Sequence, residues 1–153
     1  MYIKRAGLSF APIADLFAPA NPVGAAIGRI SCGLDGMDYG TPTSLPWGVV
    51  YDNPASYAPN DGVPRHPDQF YELIGDVLIA AVLMKLRPRL PQDATFLLYL
   101  VLFAALRFML FFVRGNVPVV AFGLKNAQWT ALAILAVAGP LLVIRLRQRT
   151  RNV

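Results

Sequence analysis

Two stretches of this chain are too long and too apolar for a fold built mainly in water. Residues 95–113 (TFLLYLVLFAALRFMLFFV) carry one charge, and residues 127–144 (AQWTALAILAVAGPLLVI) carry none. A helix rises about 1.5 Å per residue, so roughly 20 apolar residues cross about 30 Å of hydrocarbon. Residues 70–86 form a third candidate, apolar except for Glu72, Asp76 and Lys85. A weaker fourth, 13–34, is rich in small residues and interrupted by Pro19 and Pro22. Such a broken span is tolerable only where protein or headgroups satisfy the freed backbone groups. The expected fold is an all-α integral membrane protein. It forms one membrane domain over 1–153, with about four transmembrane helices and a long extracytoplasmic loop between the first two.

Composition agrees, with 56% hydrophobic and 15% charged residues against about 25% charged in soluble chains. The net charge of +5 does not point to nucleic acid, because the basic residues sit at the ends of apolar runs, where snorkelling and the positive-inside rule put them. Arg145, Arg147, Arg149 and Arg151 follow the last run, Lys85, Arg87 and Arg89 fill the short connection after the third candidate, and Lys4 and Arg5 precede the first. Four alternating passes bring these nine to one side and leave Arg65, Arg114 and Lys125 on the other, with Arg29 near that surface. Both termini are therefore expected in the cytoplasm and residues 35–68 outside. Within that loop LPWGVVY is read as a short strand or an interfacial segment. Cys32 is the only cysteine, which excludes an internal disulfide and a thiolate metal cluster. With one histidine besides, no metal and no cofactor are expected, and the proline-broken start is not read as a cleavable signal.

A charge within a span costs about 3 kcal/mol or more unless it faces a partner or a wet cavity. Arg107 lies about seven residues inside the outer end of its run, roughly 10 Å deep, and Arg114 is on the same helical face. The antiparallel neighbour offers Gln69, Glu72 and Asp76 on one face. Asp76 comes closest to Arg107 in depth, and Arg29 falls in the same layer. One reading is an Arg107–Asp76 pair that only orders the bundle. The other is a net positive pocket in the outer half of the membrane, whose planar guanidiniums suit phosphate oxygens and hence an anionic phospholipid headgroup. Gly28, Gly33, Gly36 and Gly40 flank Arg29 and allow close backbone approach. His66 is a proton acceptor by type, or a solvated loop residue. Trp47, Tyr51, Tyr57, Tyr71 and Trp129 read as interfacial anchors.

These stretches carry a family resemblance. GRISCGLDGMDYGTPTSLPWGVV resembles the signature of prolipoprotein diacylglyceryl transferases, approximately GRIGNFINGELYGRPTSLPWGV. PRHPDQFYE is similar to the family's PRHPSQLYE, LRFMLFFVR to its FRFLVEFFR, and LKNAQW stands in place of its MGQW. The resemblance implies transfer of a diacylglyceryl group from phosphatidylglycerol to the lipobox cysteine of a prolipoprotein, in the bacterial plasma membrane. It assigns the headgroup to Arg29, Arg107 and Arg114, with Gly28, Gly40 and Glu72 beside them, and chemistry to Arg107 and His66. Cys32, Met37 and Phe103 depart from the pattern, where asparagine, glutamate and tyrosine are expected; Asp35 and Asp38 are the nearby acids that would compensate for Met37.

Nearly the whole chain is covered, and it corresponds to the C-terminal portion of a typical member. The upstream portion, with an HGG motif and its histidine, is expected to lie outside it, so the chain alone should bind lipid and transfer poorly. The alternative is a non-catalytic membrane protein that binds anionic phospholipid or serves as a scaffold. The charge bias yields a first prediction: reporter fusions after Pro91 and at Val153 both report the cytoplasm, and a periplasmic signal from either overturns the four-pass arrangement.

Overall fold

A computed structural model describes residues 9–151, with side chains to 148. Lys4 and Arg5 lie outside the described residues, as do the side chains of Arg149 and Arg151. The elements in order are α1 (Phe10–Phe17), α2 (Ala20–Asp35), α3 (Asp68–Leu86) with a 3-10 turn at Arg87–Arg89, α4 (Ala94–Leu110), β1 (Val119–Ala121), β2 (Leu124–Lys125) and α5 (Asn126–Arg151).

Where the sequence suggests one broken span at 13–34, the chain makes two helices parted at Ala18 and Pro19. Proline lacks the N–H that would continue the ladder. Pro22 is harmless in the first turn of α2, where amides lack intrahelical partners anyway. α2 stops at Gly36, which has a left-handed φ of 69°, the usual glycine solution to a helix C-terminus. Among the described residues one segment, Asn126–Gln148 of α5, is long and apolar enough to cross a membrane by itself, with 23 residues at a mean hydropathy of 2.0. α4 is as apolar in character but has 17 residues. α3 has the length, and carries Asp68, Gln69, Glu72 and Asp76 in a buried polar stripe.

The helices lie side by side in chain order, α2 against α3, α3 against α4 and α4 against α5, with α1 reaching the start of α4. What they bury is unusual for a protein in water. The interior is mostly alanine (Ala26, Ala80, Ala104, Ala131, Ala138), and the largest fully buried side chains include Gln69, Gln128, Glu72, Asp68 and Thr95. Leu34, Ile74, Leu78, Met84 and Val137 face outward. Small residues inside and large apolar ones outside suit helices that pack in lipid, where close backbone approach replaces hydrophobic driving force. At Gly75 an added Cβ would come within 2.5 Å of the Leu106 methyl groups, so a larger residue there would have to displace that side chain.

Both ends of α4 are held by side chains from elsewhere. At its start Asp15 of α1 accepts the backbone N–H groups of Asp93 and Phe96, both at 2.7 Å. A carboxylate there satisfies two orphan donors and complements the helix dipole. Arg145 of α5 pairs with Asp93 at 3.3 Å. At the other end Lys125 donates its Nζ to the carbonyls of Phe111, at 2.8 Å, and Arg114. Gln128 accepts the Lys125 N–H at 2.9 Å and donates to the Phe108 carbonyl at 3.2 Å.

The segment between α2 and α3 has no regular strand. Val49 and Arg65 exchange two backbone hydrogen bonds, at 2.9 and 3.0 Å, so LPWGVVY contributes one isolated bridge. The β1–β2 hairpin lies where the sequence offered only a connection. Replacing Asp15 with Ala should remove an N-terminal cap worth about 0.5–2 kcal/mol. Thermal unfolding in detergent is expected to shift down for Asp15→Ala, with Asp15→Asn, which keeps an acceptor, in between; an unshifted Asp15→Ala would show that α4 does not depend on this cap.

Candidate functional site

At the end of the helices where α2 and α4 finish and α3 begins, three guanidiniums converge on one carboxylate. Glu72, 1% exposed, meets Arg107 Nη1 at 2.5 Å, Arg29 Nε at 2.6 Å and Arg114 Nη2 at 2.9 Å. Asp38 bridges Arg29, at 2.7 Å, and Arg114, at 2.5 Å. Asp68 takes Arg114 Nε at 2.5 Å. Arg114 is thus surrounded by Asp38, Asp68 and Glu72, each from a different turn of chain. The Phe111 ring lies under both Arg107 and Arg114, with its centroid 4.6 and 4.8 Å from the guanidinium carbons.

Two expectations change here. Arg107 pairs with Glu72 and not with Asp76, because Glu72 lies one turn nearer the end of α3 where Arg29 and Arg114 also arrive. Asp76 is buried with its Oδ1 unpartnered and makes none of these ion pairs among the described residues. Nor is the pocket net positive. Asp38, Asp68 and Glu72 balance Arg29, Arg107 and Arg114 one for one.

Of the two acids near Met37, Asp38 is the one that reaches the arginines. Its φ of 60° is left-handed, a conformation Asp tolerates better than most residues, and sits in the turn that follows α2. Burial raises the Asp38 carboxyl, but Arg114 and Arg29 outweigh it and hold it below its ordinary value. Burial likewise lowers the Arg114 pKa, while Glu72, Asp68 and Asp38 carry it above its ordinary value. Asp35 does not reach the cluster; its side chain meets Ser31 and its carbonyl accepts Tyr57 N–H and Ser56 Oγ.

The loop is locked onto this layer through its backbone. Gly40 N–H donates to His66 O at 3.0 Å, Thr41 N–H to Val113 O at 2.7 Å and Gly115 N–H to Tyr39 O at 2.9 Å. A Cβ on Gly40 would come within 2.5 Å of the His66 carbonyl oxygen, so glycine is required there for packing. At Gly28 a Cβ would meet nothing within 4 Å, so the close approach expected of it is not made. The His66 ring meets Tyr71 and not the arginines. Its Nδ1 lies 3.3 Å from Tyr71 Oη, which accepts Trp47 Nε1–H at 2.7 Å. Which of Tyr71 Oη and His66 Nδ1 donates in this contact follows the imidazole tautomer. Among the described residues no hydrogen bond or ion pair joins that ring to the cluster. Tyr71 and Tyr51, the latter bonded to the buried Gln69, frame the loop. Gln69 also donates to the Met37 carbonyl at 2.5 Å. Burial is the larger influence on the Tyr51 hydroxyl and raises its pKa.

One cavity opens on the cluster. A groove of about 450 Å³ between α4 and α5 has Phe103, Phe111, Ala131 and Ile134 as walls and Arg107 and Asn126 at its polar end. A second groove, of about 330 Å³ between α2 and α3, is lined by apolar residues such as Ile27, Ile30, Val77 and Met84.

The model of the prolipoprotein diacylglyceryl transferase family matches residues 1–144. The chain belongs to that family. It is 37% identical, over 99% of its length, to the phosphatidylglycerol–prolipoprotein diacylglyceryl transferase of Dehalococcoides mccartyi, 58% of which it covers. The proteins of the same name from Aromatoleum aromaticum and Bordetella avium are 34% and 30% identical over 93% and 99% of the chain, which covers 54% and 58% of them. The chain thus spans a little over half the length of these relatives. In this family member the signature stretch and the later arginine pair, far apart in sequence, meet at Glu72. Cys32 is a free, half-buried thiol, and the Phe103 ring lies 5.8 Å from Arg107.

Replacing Asp38 with Asn should lower the melting temperature at pH 7. Because its pKa is depressed in the folded state, its contribution is present above the ordinary carboxylate range near 4 and is lost as pH falls through the folded value. Parent and Asp38→Asn should accordingly differ at neutral pH and converge on acidification; a gap that persists in acid would mean the pairing is not what Asp38 contributes.

Proposed function

We propose that this chain carries the phosphate-binding half of a diacylglyceryl transfer site, in which phosphatidylglycerol donates its diacylglyceryl group to the lipobox cysteine of a prolipoprotein. The observation that carries this is the convergence of Arg29, Arg107 and Arg114 on Glu72, with Arg107 also lining an apolar groove. The names of its relatives supply the two substrates. The setting is a bacterial plasma membrane, with the chain as a multi-pass protein whose termini face the cytoplasm and whose 35–68 loop is outside. The inverted packing of the helices and the basic residues at their opposite ends support that reading.

The transfer forms a carbon–sulfur bond at the glyceryl carbon and breaks that carbon's bond to the phosphate oxygen. The bonding pair leaves with glycerol phosphate, and the thiol proton goes to a base. Arg107, which lines the groove, and Arg29 are the guanidiniums a phosphate can reach, their side chains being 23% and 19% exposed while Arg114 is 2%. Asp38, at 27%, is the most exposed of the three carboxylates and the one that gives way to an incoming phosphate. Acyl chains then lie along the α4–α5 groove. Gly28 and Gly40 act around Arg29 differently, Gly28 leaving open space and Gly40 closing the loop. His66 is the chain's one imidazole and this chain's candidate for the base, held beside Tyr71.

Arg29→Lys and Arg107→Lys keep the charge and lose the planar fork. Each should co-purify with less phosphatidylglycerol than the parent, and equal retention in both would overturn the clamp. Supplied with phosphatidylglycerol and a lipobox peptide, the chain alone should release glycerol phosphate far more slowly than a full-length relative, since loss of a general base costs about 10² to 10⁴ in rate. Retention without any release, also when the upstream portion of a relative is supplied, would favour the non-catalytic lipid-binding reading.

A further inference from the structure

The β1–β2 hairpin is a feature that the arginine cluster does not explain. Ala121 and Leu124 are paired, leaving Phe122 and Gly123 as a two-residue turn. Both have positive φ, 51° and 75°, as a type I′ hairpin turn requires. Such turns favour Asn, Asp or Gly, because a Cβ is crowded in that region and a bulky residue there is strained. The chain nevertheless puts phenylalanine at the tip and leaves it 92% exposed. Val119 and Val120 beside it are 58% and 63% exposed, and no residue from 115 to 124 carries a charge.

The hairpin also has a fixed place. It runs directly into α5, the helix long enough to cross a membrane. Trp129, in the first turns of α5, meets the Phe122 ring edge-on with centroids 6.1 Å apart. Tryptophan favours the boundary between headgroups and acyl chains. Strain spent on exposing an aromatic ring, an apolar neighbourhood without charge, and a root at the end of a membrane span together select the lipid boundary as the occupant. An edge-paired peptide would not require the ring at the tip.

We infer that Val119, Val120 and Phe122 form a finger inserted into the outer leaflet at its headgroup–acyl boundary, and that it sets the depth of the arginine cluster. The link to the cluster is Lys125 at the hairpin's base, which donates to the carbonyls of Phe111 and Arg114. Movement of the finger along the membrane normal carries the end of α4, and with it Arg107 and Arg114, to or from the level of lipid phosphates. The inference rests on the reading of α5 as a membrane span, and goes beyond the transfer reaction.

The test uses the full chain in phospholipid bilayers, with Trp47 and Trp129 replaced by Phe and a single tryptophan introduced at a chosen site. Phe122→Trp reports the finger and Val137→Trp, on the outward face of α5, reports the span. With lipids carrying a quencher near the headgroup or deep in the chain, the finger reporter should be quenched most by the shallow label and emit at shorter wavelength than in water. The span reporter should be quenched most by the deep label. Quenching of the span reporter alone overturns the finger and leaves the span standing, whether the finger reporter is open to aqueous acrylamide or shielded from it by protein. Loss of both signals means that the membrane reading itself has failed. In a Trp47→Phe background Phe122→Asn, which suits the positive φ, should preserve the fold while shifting Trp129 emission to longer wavelength; an unmoved Trp129 also counts against the finger.

Discussion

Glu72 is the residue on which the rest of the structure depends. It comes from the first turns of α3 and meets guanidiniums contributed by α2, by α4 and by the chain just beyond α4. Removing one member of a buried charge group typically costs about 3–5 kcal/mol, because its partners are left buried and uncompensated. A cluster of this kind holds an arrangement by penalising every alternative. If α2 rotated or α4 slid by one turn, at least one arginine would be left without a carboxylate. The alanine-rich contacts between the helices supply close packing but little register of their own, so the choice among sliding positions falls to the polar layer.

α4 transmits that choice along the bundle. Its two ends are capped from outside the helix, by Asp15 at one and by Lys125 with Gln128 at the other. In water the first amides and last carbonyls of a helix can turn to solvent, and in lipid they cannot. The caps are therefore part of what fixes Arg107 in its place along the bundle. Burial lowers the Lys125 pKa, and its ammonium finds the carbonyls of Phe111 and Arg114 in the turns that follow α4. The motif residue Gln128 has a mechanical role here, tying β2 and α5 to the same helix end.

The apolar runs, the layer of Arg29, Arg107 and Arg114, and the acidic face of α3 were legible in the sequence, since each follows from period, length and charge. What escaped was contact between residues distant in sequence. Helical depth alone matched Arg107 to Asp76, and only the arrival of two further arginines at the end of α3 moves the pairing to Glu72. Asp38 stood out as a nearby acid, but its left-handed backbone, which turns it toward Arg29 and Arg114, has no signature in the residue itself. Lys125 counted only as a charge on the outer side, and nothing in the sequence marks Asp15 as a partner for the start of α4. The hairpin was hidden because its turn carries phenylalanine in place of the asparagine or glycine that announces such turns.

Charge balance gives the cluster a property that a purely positive pocket would lack. Under the proposed reaction the donor lipid enters with one negative charge on its phosphodiester, and the departing phosphate develops a second. A strongly positive pocket would bind both states tightly, and binding the ground state as well as the transition state does not accelerate the step. In a neutral cluster the monoanion competes with Asp38 and binds modestly. As the second charge develops, the same guanidiniums favour the phosphate over the carboxylate more strongly, in a layer screened from water by Phe103, Phe111 and the acyl chains. On that reading Asp38 holds Arg29 and Arg114 oriented until a phosphate takes its place on Arg29. Such a placeholder should be acidic, partly exposed and borne by a turn, and Asp38, one residue after the position where the family pattern has its glutamate, is all three.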